Sequence, residues 1–359
     1  RLKPVSGCID PAVNRPRRSV PTAPRFTNGP SCEIHPGMDF VKPTVFAIPF
    51  FILTVALEWW AVKTNRAAGR YETRDAITSL AMGLGSVVVD TVFAFVGTWL
   101  LMLFWPYRLF EIPVTWWSFL LVFVGYDLIY YWKHRFAHTV RWWWSEHVTH
   151  HSSTHYNLTT ALRQPWFGPL TGLVIISAPL VLLGFHPAFI AFSAGVNLVY
   201  QYWIHTEAIR NLPNWFEAVM NTPSHHRVHH ATNPRYLDAN YAGVFIVWDR
   251  MFGSFVPELD HDKPVYGIVT PLETYNPLIV AYHSLFGLLG DCWNDGPRPW
   301  RWVGRFINKP GWSPDGAHAR SDEIKAAYLS AHPEQAGTPG LPRKHLKTKT
   351  SAPAAVPAE

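Results

Sequence analysis

The sequence predicts an all-α fold, namely an integral membrane helical bundle that carries a cytoplasmic, histidine-rich helical cap. Several apolar runs are long enough to cross the hydrocarbon core of a bilayer. Basic residues are concentrated beside these runs, where they suit anionic lipid headgroups. Three histidine clusters with helical spacing lie close to the ends of the runs. The mean hydropathy of 0.00 is an average over these unlike segments.

The charge and the cysteine content exclude several classes of protein. The net charge is +6, but Lys and Arg form no stripe within a known binding motif, so no nucleic-acid partner is expected. Cys8, Cys32 and Cys292 form no C-x-x-C pair and no even framework. We therefore expect neither a disulfide scaffold nor a cysteine metal site.

The N-terminal part divides into an arm and a membrane region. Residues 1–37 are rich in Pro, Arg and Ser and lack periodicity. They are expected to be a leader or a disordered arm, and they need not be translated, because Met38 precedes an apolar run almost directly. Residues 38–112 are predicted to hold the N-terminal transmembrane helices, one over 44–62 and one over about 76–105.

A third span, over 113–132, leads directly into the first histidine cluster. The apolar stretch 165–205 is interrupted at 184–187, so we predict a hairpin that enters the bilayer and returns. Lys and Arg in the 63–75 loop place that loop and the histidine clusters on the cytoplasmic side. The expected location is the bacterial inner membrane or the endoplasmic reticulum.

The remaining segments are more polar. A short strand or turn is expected near 243–248, and the tryptophans of 142–144 are interpreted as interface anchors. Residues 257–317 are predicted to form a C-terminal interfacial segment, because the apolar run 277–289 is too short to span comfortably. Residues 318–359 are rich in Ala, Pro, Lys and Ser, which predicts a disordered basic tail.

Three histidine boxes share a helical spacing. Residues three and four apart on a helix lie on one face, so each box presents its imidazoles in one direction. Eight imidazoles are more than one tetrahedral ion uses, which predicts a two-metal site. Imidazole suits iron, zinc, copper or nickel, so residue type alone does not select the metal. The boxes are His134-x-x-x-His138, His147-x-x-His150-His151 and His226-x-x-His229-His230.

A single pair such as His134 and His138 could arise by coincidence, but two further boxes of the form H-x-x-H-H argue against coincidence.

Three histidines outside the boxes allow two interpretations each. His205, at the cytoplasmic end of the hairpin, could complete the metal site or cap a helix. His155 and His225 are candidates to hydrogen-bond the ligands, with direct metal binding as the alternative.

Four polar residues are further candidates to orient the ligands. Asp127 lies inside the third predicted span, where a carboxylate needs a partner or a function. Its alternative role is a buried hydrogen bond to a helix neighbour or an Arg. Glu146 and Glu207 adjoin predicted ligands, and Gln201 lies one helical turn before His205. These positions suit side chains that orient metal-binding imidazoles.

The three boxes, their order and the short gap between the first two resemble the fatty acid hydroxylase and sterol desaturase superfamily of membrane di-iron oxygenases. The resemblance covers about residues 113–256. Further segments resemble the alkylglycerol monooxygenase family within that superfamily. These segments are 150–153, 156–164, 203–207, 221–230, 248–253 and 311–314.

The resemblance implies a di-iron domain over 113–256, with two iron ions as cofactor and O2 as co-substrate. It implies a lipid substrate whose C–H bond is hydroxylated or desaturated. Electrons would come from an unidentified reductase or a small reductant such as a reduced pterin. Thr139 stands where the family pattern has an acidic residue, which leaves ether-lipid specificity and pterin use open. The alternatives are a sterol desaturase-type or other lipid hydroxylase, and a membrane metal transporter.

Overall fold

The computed structural model describes residues 42–333, and the regular secondary structure in that part of the chain is helical. Pairing between extended segments of these residues is limited to isolated bridges, one of which joins Met220 to Phe245. The all-α prediction is therefore confirmed. The segment 243–248 forms no strand, and its bends and turn lead into the helix that begins at Val247. The predicted leader 1–37 and the tail beyond residue 333 lie outside the described residues.

The α-helices of the described residues are numbered in chain order, and short 3₁₀ helices connect several of them. The α-helices are α1 (Pro43–Phe46), α2 (Ile48–Lys63), α3 (Thr73–Met102), α4 (Trp116–Thr139), α5 (Arg141–His151), α6 (Ala178–Leu183), α7 (Pro187–Tyr202), α8 (Asn214–Val219), α9 (Pro223–His229), α10 (Val247–Phe252), α11 (Pro277–Asn294), α12 (Pro299–Ile307) and α13 (Ser321–Ala331). The 3₁₀ helices are Trp105–Tyr107, Thr160–Leu162, Gly168–Leu170 and Leu173–Ser177.

Helix α4 joins the apolar part of the chain to the first histidine box. It begins at a capping box, in which the Thr115 hydroxyl accepts the N–H of Ser118 and the Ser118 hydroxyl accepts the N–H of Thr115. The helix continues without a break through His134 and His138. It ends at Val140, whose extended backbone lets α5 begin at the next residue. The third predicted span and the first box therefore form one continuous helix.

A cluster of buried apolar side chains lies between α3, α4, α6 and α7. It includes Leu101, Val122, Leu180 and Phe189, all almost fully buried. Burial of one such side chain stabilises the fold by about 1.5–3 kcal/mol. The packing holds α4 and α7 side by side, so that the end of α4 that carries the first box lies close to the end of α7.

The chain turns at Gly184, within the predicted hairpin. The φ of this glycine is +110°, and a Cβ there would lie 2.1 Å from the carbonyl oxygen of Phe110. Helix α7 forms the returning arm. The entering arm is not the single helix expected, because it consists of two 3₁₀ helices followed by the six residues of α6. Gly172, with φ +75°, interrupts a regular helix there.

One segment of the described residues, Thr73–Phe93, is long and apolar enough to cross a membrane. Other predicted spans are less regular or shorter, and α2, for example, has 16 residues. Large apolar side chains of α3 and α4 are nevertheless exposed, with Leu84 at 70%, Phe95 at 66% and Trp116 at 76%. Burial inside the described part of the protein therefore does not account for the apolar character of these helices.

The C-terminal helices pack around α5. Helix α11 is capped by the side chain of Asn276 and contacts both α5 and α12. The prediction of disorder over 318–359 is wrong for α13, which forms a regular helix inside that segment. Asp322 and Glu323 lie in its first turn, where the helix dipole favours acidic side chains. The composition of the whole tail conceals this short helical signal.

Candidate metal centre

Nine histidines form two adjacent clusters, and the potential ligand atoms within each cluster lie within 4.8 Å of one another. Eight of the nine side chains are buried, and His147 is half-buried. The structure brings together the eight box histidines that the sequence predicted as ligands and His205, for which two roles were open. The five-histidine cluster contains His134, His138, His147, His151 and His229, and the four-histidine cluster contains His150, His205, His226 and His230.

The clusters do not coincide with the sequence boxes. In the second box, His147 and His151 share one face of α5 and join the five-histidine cluster, whereas His150 joins the other. In the third box, only His229 joins the five-histidine cluster. The rings of His151 and His230 stack 4.4 Å apart across the boundary. Helices α5 and α9 therefore contribute to both clusters, and the two clusters form one continuous site.

Four histidines have their Nδ1 atom fixed by a backbone carbonyl. A carbonyl can only accept, so Nδ1 carries the proton and Nε2 keeps its lone pair. The Nε2 atoms of these rings are therefore available as ligands. The pairs are His134 with Tyr241 (2.8 Å), His150 with Arg163 (3.2 Å), His205 with Gln201 (2.8 Å) and His229 with Ala239 (2.9 Å).

The inner nitrogens are spaced as ligands of a common ion would be. The Nε2 atom of His205 lies 3.1 Å from that of His150 and 3.0 Å from that of His226. In the other cluster, the Nε2 atoms of His134 and His147 are 2.9 Å apart. Two nitrogens each about 2.1 Å from one ion are about 3.0 Å apart when they subtend a right angle. The donor set of each cluster thus fits a transition-metal ion.

Several further ring nitrogens are buried without a hydrogen-bond partner among the described residues. An unsatisfied buried polar atom costs about 1–3 kcal/mol, so such atoms call for an explanation. Coordination to a metal would satisfy three of them, His138 Nε2, His229 Nε2 and His230 Nε2. The fourth is Nδ1 of His226, and the ion would not satisfy it because this ring turns its Nε2 toward the four-histidine cluster.

Burial also keeps these imidazoles neutral. It lowers the pKa of His134 to about 3 and that of His150 to about 4. Burial and neighbouring imidazoles hold the pKa of His147 and of His151 well below the usual value. Neutral imidazole is the form that donates a lone pair to a metal.

One short segment, residues 237–241, faces three histidines of the five-histidine cluster, and we call it the orienting loop. The carbonyl of Tyr241 accepts from His134, and the carbonyl of Ala239 accepts from His229. The carboxylate of Asp238 lies 3.8 Å from Nδ1 of His138. The sequence analysis assigned no role to this loop, because two of its three contacts use the backbone and leave no signal in residue type.

The backbone of the orienting loop is held by two polar side chains. The carboxylate of Asp249 accepts the N–H groups of Tyr241 and Ala242, each at 2.8 Å. Asn240 has a φ of +56°, and its side chain both donates to and accepts from the backbone of Val256, at 2.8 Å in each case. These bonds fix the direction of the carbonyls that orient the histidines.

Asp127 accepts four hydrogen bonds, none of them from a clustered histidine. Its Oδ1 accepts from Asn197 at 2.7 Å and from the N–H of Val244 at 2.8 Å. Its Oδ2 accepts from the N–H of Phe245 at 2.9 Å and from the indole of Trp248 at 2.8 Å. The carboxylate therefore joins α4, α7 and the turn before α10, and it acts on the histidines only through these elements.

Gln201 contacts a clustered histidine through its backbone carbonyl and not through the side chain that the sequence analysis singled out. Its carbonyl accepts from His205, and its side-chain amide donates to Asn197 at 2.5 Å. Asn197 in turn donates to Asp127. A chain of hydrogen bonds thus runs from α4 through α7 to the four-histidine cluster.

The two predicted glutamates lie outside the clusters. The carboxyl group of Glu146 packs against Gly168, and burial raises the pKa of this glutamate to about 8. Glu207 accepts from the Tyr266 hydroxyl at 3.2 Å, and burial raises its pKa. Tyr266 stacks on Tyr156, which packs on two rings of the four-histidine cluster. Only Glu207 is therefore connected to a cluster through these contacts.

The remaining two predicted histidines also lie apart from the clusters. The ring of His155 contacts the Thr154 hydroxyl at 3.2 Å. His225 packs edge-on against Phe255 and lines a cavity of about 280 Å³. The cavity is also lined by Glu217 and Arg250, which make it polar. It adjoins the third box through His225.

Arg163 lies in one of the segments that carry the family resemblance, but the sequence analysis assigned it no role. Its carbonyl fixes His150, and its buried guanidinium donates to Asp75 at 2.6 Å, Ser79 at 3.0 Å and Ser152 at 3.1 Å. The buried ion pair ties α3 to the end of the second box. The available signal was an arginine among apolar and hydroxyl residues in the segment between that box and the predicted hairpin.

The tryptophans of 142–144 differ in their contacts. The indoles of Trp142 and Trp143 donate to the carbonyl of Thr171. The ring of Trp144 instead packs against His138, with centroids 5.1 Å apart. Trp144 therefore covers the five-histidine cluster, and interface anchoring by these tryptophans stays a prediction.

Comparisons with known proteins agree with this geometry. Residues 119–254 match the fatty acid hydroxylase family model. Alkylglycerol monooxygenase of Homo sapiens is 41% identical over 284 residues, which cover 77% of this chain and 60% of the relative. The Xenopus tropicalis enzyme of that name is 40% identical, with the same coverage. Lathosterol oxidase of Homo sapiens is 30% identical over 154 residues, covering 42% of this chain and 48% of the relative.

The chain spans about three-fifths of the length of the first two relatives. No solved structure matches it. The superfamily predicted from the histidine boxes is confirmed by the family match and by these relatives.

Proposed function

We propose that the protein is a membrane-bound di-iron oxygenase, starting from the match of residues 119–254 to the fatty acid hydroxylase family model. The proposed reaction uses O2 to hydroxylate a C–H bond of a lipid. The proposed substrate is an alkylglycerol ether lipid, in line with the names of the relatives that align with 77% of the chain. Hydroxylation beside the ether oxygen would give a hemiacetal, which collapses to an aldehyde and glycerol.

The single observation that carries this proposal is the pairing of two buried histidine clusters. Their inner nitrogens hold lone pairs at ligand spacing, and the clusters meet where His151 stacks on His230. Two adjacent ions bound entirely by imidazole fit a redox-active first-row metal better than a structural zinc site, which uses four ligands for one ion.

The nine clustered histidines are the proposed ligands of two iron ions. When bound, the iron pair would activate O2 for attack on an unactivated C–H bond. The chain itself performs three tasks at this site. The orienting loop and the carbonyls of Arg163 and Gln201 hold the imidazoles in the ligating tautomer. Burial of the clusters excludes water that would otherwise compete with substrate oxidation.

The electron donor is proposed to be a separate reductase or a small reductant such as a reduced pterin. Thr139 is relevant here, because the family pattern has an acidic residue at this position. Its hydroxyl donates to the carbonyl of Arg135 at 2.8 Å, within its own helix. Threonine has no carboxylate to offer to a substrate or a reductant. Because this leaves the lipid specificity open, the assay below includes several lipid classes.

A membrane setting is supported by the apolar surface of the helices. The segment Thr73–Phe93 and the exposed side chains of α2, α3 and α4 would be stable in hydrocarbon but costly in water. The basic residues of the 63–75 loop favour the cytoplasmic side for that loop and for the clusters. We propose a helical bundle in the bilayer with the metal centre at its cytoplasmic face.

A sterol-type activity is the second candidate, because human lathosterol oxidase aligns with part of the chain. The test is to express the protein in cells and supply alkylglycerol, fatty acyl lipid or sterol. Release of a fatty aldehyde from alkylglycerol, dependent on O2, is the expected result. A hydroxylated or desaturated sterol, without aldehyde, would favour the second candidate.

Variants complete the test of the metal centre. His150→Ala and His229→Ala remove one proposed ligand from each cluster, so each should abolish product and remove the iron of its own cluster. His283→Ala is the control, because that imidazole bonds the carbonyl of Val280 in its own helix and lies outside the clusters. Full activity after either cluster substitution would refute the proposal. Metal uptake without O2 and without lipid product would indicate a metal transporter instead.

A further inference from the structure

Helix α13 lies outside the family domain 119–254, yet it contacts the loop that orients the five-histidine cluster. The Ser321 hydroxyl donates to the carboxylate of Asp238. The Lys325 ammonium donates to the carbonyl of Leu237 at 2.9 Å. Asp238 and Leu237 belong to the orienting loop, so α13 contacts the segment that orients the imidazoles.

The backbone of the orienting loop needs such support. Asp238 has a φ of +54° and Asn240 a φ of +56°, both in the left-handed region that L-residues other than glycine adopt at a cost. Asn240 is held by the family domain itself, because its side chain donates to the carbonyl of His225 and its N–H donates to the carbonyl of Ser254. Asp238 accepts its side-chain hydrogen bond from Ser321, on α13. The two halves of the loop are therefore held from different parts of the chain.

The half held by α13 faces two particular histidines. The Asp238 carboxylate faces Nδ1 of His138 at 3.8 Å, and the neighbouring carbonyl of Ala239 accepts from His229. His134 depends on the other half, since the N–H of Tyr241 is held by Asp249. Loss of the α13 contacts should therefore release His138 and His229 more than His134. None of these contacts involves the four-histidine cluster.

We propose that α13 is part of the metal centre, with Ser321 and Lys325 as positioning residues that set the affinity of the five-histidine cluster for its ion. The inference rests on the proposed function only in requiring that both clusters bind metal. Partners that orient metal-ligating histidines typically change metal affinity by about 10–100-fold when removed. The same range is expected here, confined to one of two ions.

The test measures iron binding to the full-length protein in detergent, under anaerobic conditions, with Fe(II) as the probe. Wild type should bind two irons per chain. The double variant Ser321→Ala, Lys325→Met should bind one iron at the Fe(II) concentration that just saturates wild type, and recover the second at about 10–100-fold higher concentration. Mössbauer spectra of ⁵⁷Fe-loaded protein should show loss of one ferrous component only. The single variant Ser321→Thr keeps both the hydroxyl and Lys325, so it should bind two irons as wild type does.

Ser330→Ala is the matched control, because this hydroxyl lies on the same helix and, among residues 42–333, donates only to the carbonyl of Ala327 within that helix. Two irons bound by the double variant with wild-type affinity would overturn the inference and leave the proposed function standing. Equal loss of both irons, with a lower thermal midpoint, would make α13 a general structural element and would also overturn it. A wild-type protein that binds no iron would instead refute the proposed function itself.

Discussion

The Nε2 atoms of His150 and His205 lie 3.1 Å apart, while the Nδ1 atom of each ring is bonded to a backbone carbonyl. Both inner nitrogens therefore carry lone pairs. Two buried lone pairs at this distance repel each other, and each lacks the hydrogen bond that water would supply. A cation between the rings removes both costs. The geometry thus couples metal binding to the stability of the folded protein.

Removal of metal should therefore lower the thermal midpoint of the purified protein, and Fe(II) should restore it. A ligand at one hundred times its dissociation constant stabilises the folded state by about 2.7 kcal/mol. The measurement is thermal unfolding in detergent before chelation, after chelation and after Fe(II) is returned. The His283→Ala variant should respond as wild type does. A midpoint that responds to neither step would contradict the coupling.

His205 is predicted to be a ligand and not merely the cap of a helix. Its Nε2 atom lies between those of His150 and His226, so His205→Ala should remove one iron as completely as His226→Ala does. If the ring only capped α7, His205→Ala would keep both irons and lose stability alone. The measurement is iron per chain together with the thermal midpoint of each variant.

Asp127→Asn should weaken both the fold and the four-histidine cluster. An amide in place of the carboxylate turns an NH2 group toward some of the four donors that now converge on Asp127. Loss of a hydrogen bond to a charged group costs about 1.5–3 kcal/mol. The thermal midpoint and the iron content should both fall, because Asn197 and Gln201 connect Asp127 to His205.

Asp260→Asn provides the comparison for that substitution. Asp260 is exposed, at 85%, and pairs with Arg210 and Lys263 at the surface. Exposed ion pairs contribute little, about 0–1 kcal/mol, so this variant should keep both iron and stability. An unchanged midpoint in Asp127→Asn would show that the carboxylate is not the element that joins α4, α7 and α10.

The metal centre could be predicted from sequence because imidazoles at helical spacing leave a direct signal. The spacing in α4 and α5 correctly placed His134 with His138 and His147 with His151. It could not show that His150 joins a different cluster from His147, since that depends on how α9 approaches α5 in space. The family resemblance supplied iron and O2, which spacing does not specify.

The parts of the site that escaped prediction act mainly through the backbone. The carbonyls of Ala239 and Tyr241 orient histidines, but any residue carries a carbonyl, so no residue type marks them. Asp238 was missed because its neighbours in sequence contain no histidine. Helix α13 was missed because its eleven residues lie within a longer segment of disorder-prone composition.

Stability should depend on pH through Asp249. Burial raises the pKa of this carboxyl to about 6, from 3.8 for the free group. The folded protein therefore binds the proton more tightly than the unfolded chain does. The resulting stabilisation is fully present below about pH 4 and is lost as the pH rises through about 6.

Metal-free wild type and Asp249→Asn should therefore differ in a pH-dependent way. The midpoint of wild type minus that of the variant should be larger at pH 4 than at pH 7, because asparagine does not titrate. The measurement is thermal unfolding in chelator from pH 4 to pH 8. Asp260→Asn is the control, since hydrogen bonds from Arg210 and Lys263 lower the pKa of Asp260, whereas burial raises that of Asp249. A constant difference for Asp249→Asn would exclude the effect.

Gly184→Ala should destabilise the protein far more than Gly287→Ala. Gly184 has a φ of +110°, and a Cβ there would lie 2.1 Å from the carbonyl oxygen of Phe110, a backbone atom that cannot move aside easily. The strain of the backbone alone costs about 1–3 kcal/mol, and the clash adds to it. A Cβ at Gly287 meets no atom within 4 Å, and alanine in a helix is favoured over glycine by about 1 kcal/mol.

The measurement is the thermal midpoint of both variants. We expect a lower midpoint for Gly184→Ala and no decrease for Gly287→Ala. Similar midpoints for the two would mean that the turn between α6 and α7 tolerates rearrangement, and that His205 is not placed by this hairpin.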